Sequence, residues 1–241
     1  MRIGFIGFGE VSYKLSQLFT NEDLITSCKN RSQNTIERIK QSNVEVLDDF
    51  NEVAQKSDIL ISANSPKTAI KIAEKYGDKT NGIYLDLNNI NPTTALKISN
   101  LTSNFVDSSI IGNINHNPIL YLSGNCEQLE FLNNYLEVKI ISDKIGDASR
   151  LKLLRSIYTK TLATTLIEAT EIAENFNLKN QLLSSLAVSE GNDFIKKADS
   201  RITNTKNNSK RKKEELEEII EYFEDCDLTM SKATLNKLSK L

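Results

Sequence analysis

The chain has 241 residues, 39% hydrophobic and 26% charged, with thirty Lys and Arg against thirty-two Asp and Glu. This composition builds a globular core and excludes disorder throughout, and a net charge of −2 provides no field for nucleic acid or an anionic membrane. Cys28, Cys126 and Cys226 are isolated and His116 is the single histidine, so a disulfide framework, a zinc knuckle and a His-based metal site are excluded, and no apolar run approaches the ~20 residues of a membrane span.

The start, Met1-Arg2-Ile3-Gly4-Phe5-Ile6-Gly7, reads as a folded strand rather than a signal peptide, and a cytoplasmic protein is expected. A strand over 2–7 leads into a helix over 10–20, with Val11, Leu15, Leu18 and Phe19 on one side. Strands follow at 24–28, 44–47, 58–63 and 82–87, separated by helices at 33–41, 50–56 and 66–76. Strands apolar on both faces and spaced by helices predict a parallel sheet covered on both sides. After Pro92 come a short helix, strands at 104–111 and 119–123, a helix at 127–135 and a strand at 138–141. From Asp147 to about Asn175 neither Gly nor Pro interrupts, which predicts one long helix with Leu151, Leu154, Tyr158, Leu162, Thr165, Ala169 and Ile172 as its apolar stripe. Helices at 180–190, 210–223 and 231–238 complete the chain, and the polar stretch 202–209 is expected to be a mobile loop. The expected architecture is an α/β Rossmann domain over 1–145 and an all-helical domain over 146–241.

Gly7-Phe8-Gly9-Glu10-Val11-Ser12 follows the first strand and opens the first helix. This is the G-x-G-x-x-G pattern with Ser in the third place. The first Gly permits a tight turn, the second lets a pyrophosphate approach the backbone, and the third position must be small. Free N–H groups at the helix start then hold the phosphates. After the second strand, where an NAD site carries an acid for the ribose, this chain has Cys28-Lys29-Asn30-Arg31-Ser32. Arg31 suits a 2′-phosphate clamp that also stacks on adenine, and Asn30 and Ser32 add neutral hydrogen bonds, so NADP is favoured over NAD. The alternative is that Arg31 is a solvated loop charge.

Lys152 stands near the start of the long helix on a small, polar face, with Ser156 one turn on. The pattern leaves it open between a lysine used for proton transfer and a surface lysine.

Three stretches in order carry a family resemblance: Ile3 to Glu10, Tyr84-Leu85-Asp86-Leu87-Asn88-Asn89-Ile90-Asn91-Pro92, and Gly146 through Leu162. The chain resembles the β-hydroxyacid dehydrogenase superfamily, which includes 6-phosphogluconate and 3-hydroxyisobutyrate dehydrogenases, and most of all its phosphogluconate dehydrogenase-like branch with a C-terminal domain of unknown function. The resemblance implies NAD(P)-linked hydride transfer with a small hydroxy or oxo acid, in a homodimer formed through the long helix 147–175; with Arg31 the cofactor expected is NADP, and no metal is expected. It implies Lys152 and Ser156 as catalytic positions. Gly7, Phe8, Gly9, Glu10, Val11, Asn64, Ser65, Pro66 and Asn89 fall on the cofactor side, and Gly112, Asn113 and Arg155 on the substrate side. Two departures stand out: the family's Asn four residues after the lysine is Ser156, and its Ser-Gly-Gly loop is Ile111-Gly112-Asn113. An imine reductase and a non-catalytic NADP(H)-binding protein are the alternatives. Lys210, Arg211 and Lys212 read as a solvated helix start or as a basic run that reaches a partner subunit's site; His116 receives no role.

Overall fold

A computed structural model describes residues 1–241, with the side chain of Asn113 outside the described residues. The chain divides into two compact units, Met1–Lys152 and Leu153–Leu241.

The first unit holds β1 (Arg2–Ile6), α1 (Glu10–Leu18), β2 (Asp23–Ser27), α2 (Gln33–Lys40), β3 (Glu45–Leu47), α3 (Phe50–Lys56), β4 (Ile59–Ser62) and α4 (Pro66–Tyr76). β5 (Ile83–Asp86), α5 (Pro92–Ser99), β6 (Phe105–Asn113), β7 (His116–Gly124) and β8 (Glu137–Ser142) follow. They form one eight-stranded sheet in the order β3-β2-β1-β4-β5-β6-β7-β8. The central strands β4 and β5 are buried at every position, as a sheet covered on both faces requires. Side chains alternate between the two layers: Ile59 and Ile61 join Ile3, Phe5 and Leu15 on one side, while Leu60 joins Ile6, Val53 and Ala73 on the other. Each fully buried Ile or Leu of this kind contributes about 1.5–3 kcal/mol.

The strands β1 to β6 pair in parallel, but β7 is antiparallel to β6, and β8 lies parallel to β7. Asn113 pairs with His116, so Ile114 and Asn115 alone connect the strands, and so short a link permits only reversal. Gly112 therefore lies inside a strand, at a register shift and with φ +102°. The segment expected to be α-helical over 127–135 is a 3-10 helix, Glu127–Asn134.

The second unit is all helical. It takes in the later part of α6 (Asp147–Asn175), α7 (Lys179–Glu190), α8 (Phe194–Asn207), α9 (Ser209–Tyr222) and α10 (Thr229–Leu238). Leu166, Leu183, Phe194 and Ala198 form one core cluster, and Leu216, Ile219 and Leu238 another. The stretch 202–209 is not a loop. Residues 202–207 end α8, whose buried residues Phe194, Ala198 and Thr205 turn one face inward. Glu171 also binds Lys206 at 3.1 Å and Lys237 at 2.8 Å. Tertiary packing overrides the weak helix preference of an Asn-rich run.

Candidate functional site

The carboxyl ends of β1, β2, β4 and β5 open onto a cleft of about 390 Å³ lined by Gly7, Phe8, Gly9, Glu10, Val11, Arg31, Thr35, Ala63, Asn64, Ser65 and Leu87. The two glycines of the turn have different reasons to be there. Gly7 has φ +92°, and a Cβ on it would stand 2.3 Å from the Ala63 carbonyl oxygen, so the fold itself requires glycine. Gly9 has φ −78°, open to any residue, and a Cβ there would meet nothing within 4 Å. The fold does not need glycine at this position; its effect is to leave the start of α1 uncovered. The third position is Ser12, fully buried, whose hydroxyl donates to the Gly7 carbonyl at 2.7 Å and closes the turn. Phe8 turns its ring into the core against Phe5, and the exposed Glu10 accepts a hydrogen bond from Asn115 Nδ2 at 3.1 Å.

At the end of β2, Asn30 takes a left-handed conformation with φ 58°, which Asn tolerates better than most residues. Ser32 then caps α2 by accepting from the Thr35 N–H. Between them Arg31 is half-buried, its guanidinium 4.3 Å from the centre of the Phe50 ring. Its Nε is buried with no acceptor, and burial lowers its pKa from the ordinary arginine value. A cation so placed, with an orphan donor beside an open cleft, suits an anion.

The floor is a polar network on β4 and β5. Asn88 donates to Ser62 Oγ at 2.9 Å and to Asp86 Oδ2 at 2.8 Å, while its own carbonyl accepts from the Asn64 backbone N–H. Asn64 Nδ2 donates to the Ile6 carbonyl at 2.7 Å. Asp86 is fully buried, and desolvation pushes its carboxyl up to about 7. Next to it, Asp107 accepts from Ser149 N at 2.9 Å and Ser149 Oγ at 2.6 Å, and Ser123 Oγ accepts from Ala148 N at 3.0 Å. The free N–H groups at the start of α6 are thus held by β6 and β7, three residues before Lys152.

Of the residues singled out in the sequence, Gly7, Phe8, Gly9, Glu10, Val11, Arg31, Asn64 and Ser65 line the cleft; Asn30, Ser32, Pro66, Asn89 and Gly112 do not. Ser32 and Pro66 begin helices, and Asn89 is exposed while its neighbour Asn88 is buried in the network. Asn113 lies outside the residues whose side chains are described. Thr35, Phe50, Asp86, Asn88 and Asp107 belong to the site without having been expected from the sequence. For Thr35 a signal existed, three residues after the cap Ser32; the others depend on partners distant in sequence.

In the helical unit Ser156 belongs to a polar group of its own. The buried lysine there is Lys160, 5% exposed, which donates to Ser156 Oγ at 2.5 Å and to Glu215 Oε2 at 3.0 Å. Arg155 is exposed. Among the described residues no group of three or more His, Cys, Asp or Glu could hold a metal ion, and no helix is long and apolar enough to cross a membrane.

A glycine turn at the carboxyl edge of a parallel sheet, ahead of a helical unit, defines the chain as an α/β nucleotide-fold protein with an all-helical C-terminal region. No protein-family model matches it. It is 40% identical over 243 residues to a Methanothermus fervidus protein described as an uncharacterized 28.5 kDa protein in the 7S RNA 5′ region, covering 98% of this chain and 97% of the other. It is 34% identical to MTH1747, a conserved protein of unknown function described as structurally similar to 3-hydroxyacid dehydrogenases, with TM-score 0.88 over 100% of this chain and 96% of that one. The fold is shared, at 13% identity and TM-score 0.79, with Mycobacterium tuberculosis 3-hydroxyisobutyrate dehydrogenase solved with L-serine, over 99% and 92% of the chains. It is also shared with a Myxococcus stipitatus imine reductase solved with NADP+, at 14% identity and TM-score 0.65 over 100% and 93%. The chain belongs to the family of the M. fervidus protein and MTH1747, and it shares its fold with 3-hydroxyacid dehydrogenases.

Proposed function

We propose that this chain is an NADP-dependent oxidoreductase that acts on a small hydroxy or oxo acid. The observation that carries the reading is Gly9: its conformation suits any residue and its Cβ position is empty, so the missing side chain serves an incoming ligand rather than the fold. The residues present fit a dinucleotide. Backbone N–H groups at the start of α1 take the pyrophosphate. Arg31, stacked on Phe50 and with an unpartnered Nε, takes the 2′-phosphate that distinguishes NADP from NAD. Asn64 and Ser65 line the same cleft. The imine reductase with bound NADP+ supports a nicotinamide cofactor on this scaffold.

When bound, the nicotinamide gives or takes the hydride. Lys152 acts as general acid or base on the substrate oxygen, held in register by the Asp107 and Ser149 contacts at the start of α6. Residues 1–145 serve as the cofactor domain and 146–241 as the substrate and dimerisation domain. Leu154, Tyr158, Ile172 and Phe176, all exposed, supply the apolar surface for a homodimer.

The test is titration with NADPH and NADH, then turnover on a panel of oxo acids and of imines. NADPH binds at least tenfold tighter than NADH in the wild type, Arg31→Ala erases that preference, and Gly9→Ala weakens both. Lys152→Ala retains NADPH binding and loses turnover. Turnover of imines alone makes the protein an imine reductase, and binding without turnover makes it a non-catalytic NADP(H) protein. Failure to bind either dinucleotide overturns the reading.

A further inference from the structure

The helical unit contains more positive charge at one spot than its own carboxylate neutralises. Lys160 on α6 is buried, yet its ammonium has two partners, Ser156 Oγ and Glu215 Oε2. Glu215 is shared, since Arg211 Nε lies 3.4 Å from its other oxygen. Lys212 precedes Glu215 by three residues, so both occupy one face of α9. Lys212 is half-buried and forms no ion pair among the described residues, and burial together with the charge of Lys160 lowers its pKa. Two cations thus share one carboxylate, and Lys212 adds a third positive charge on the same face of α9.

The hydrogen-bond count is unbalanced in the same direction. Ser156 Oγ accepts from Lys160, leaving its own proton without an acceptor among the described residues. One N–H of Lys160 and all of the Lys212 ammonium are likewise unused. The first turn of α9 adds a third sign: it carries Lys210, Arg211 and Lys212 and no acid. Cations at that end of a helix oppose its dipole by about 0.3–1 kcal/mol each. Arg211 is answered within the chain by Glu215 but, among the described residues, Lys212 is not, and a local rule broken without compensation is expected at a functional site.

We propose that Ser156, Lys160 and Lys212 form an oxyanion-binding site in the helical unit, one that takes the carboxylate or phosphate group of a small acid. The Ser156 hydroxyl and the two ammonium groups donate, and Glu215 holds Lys160 in place while limiting affinity through its own charge. That the bound acid is the substrate rests on the oxidoreductase reading above; the site itself does not.

The test uses the full chain without cofactor, with inorganic phosphate and acetate as probes at constant ionic strength, followed by NMR of isotope-labelled lysine side chains. Saturable shifts of the Lys160 and Lys212 signals are expected, and the tighter probe identifies phosphate or carboxylate as the natural group. Lys212→Met lowers affinity at least fivefold, Glu215→Gln raises it several-fold, and Lys213→Met, which removes only the exposed partner of Glu217, leaves it unchanged. Shifts that never saturate, or equal affinity in Lys212→Met and Lys213→Met, overturn the proposal. Because no dinucleotide is present, this failure is distinct from failure of the NADPH titration.

Discussion

Asp86 makes the stability of the sheet unit depend on pH in an unusual direction. The residue ends β5, is fully buried, and has its carboxyl pushed up from 3.8 to about 7 by burial, with the charge of Asp107 adding to the effect. An acid raised in the folded state binds its proton more tightly there than in the unfolded chain. Its contribution is therefore complete at low pH and is lost as the pH rises through about 7. With those two values, linkage gives a loss of about 2.5 kcal/mol between pH 5 and pH 7.5. The window is well chosen, because carboxylates such as Glu22, Asp49 and Glu171, held below their ordinary values by hydrogen bonds or ion pairs, lose their contribution only at lower pH. The Met1 amine, raised above 8.0 by its bond to Glu22, acts above the window. Urea unfolding followed by circular dichroism at several pH values across this range is the assay. The wild type loses stability as pH rises, and Asp86→Asn lowers the slope, leaving the part that Asp107, also raised by burial, adds in the same direction. That variant is less stable at pH 5 by about 1–3 kcal/mol, since the Asn88 N–H and amide both donate to Asp86 and a replacement amide satisfies one of them. A wild-type profile that is flat or rising, or one whose slope is undiminished in Asp86→Asn, would refute the reasoning.

Three further outcomes are expected. Gly7→Ala destabilises the chain by about 2–4 kcal/mol, because a Cβ would stand 2.3 Å from a carbonyl oxygen at φ +92°, whereas Gly9→Ala leaves the melting temperature within a degree or two. Ser149→Ala leaves the buried Asp107 short of one donor and costs about 1.5–3 kcal/mol by denaturant unfolding. Thr205→Val removes a buried hydroxyl that has no partner and raises stability by about 1 kcal/mol, read as a higher urea midpoint.

The sheet was legible because its strands carry unbroken apolar runs, and each of β1, β4 and β5 lies within the segment its sequence marks. The glycine turn was legible because its chemistry is local: Gly7, Gly9 and Ser12 act within one turn of chain. Arg31 was found for its charge, but Phe50, which holds it, lies nineteen positions away and carries no sign of the pairing. The same limit hid Asp107, whose partner Ser149 is 42 residues on, and Lys160, whose partner Glu215 is 55 on. Stretch 202–209 misled because Asn and Ser lower helix preference locally, while Thr205 and the contact of Lys206 with Glu171 are tertiary.

Gly9 has a consequence for how such chains diverge. The backbone accepts any side chain at that position while Gly7 tolerates none, so on the function proposed above it is ligand passage through the cleft that keeps residue 9 bare. If that proposal holds, kindred sequences that preserve glycine at 7 but carry a bulky side chain at 9 are sound scaffolds that do not bind nucleotides, and this one position sorts the two kinds.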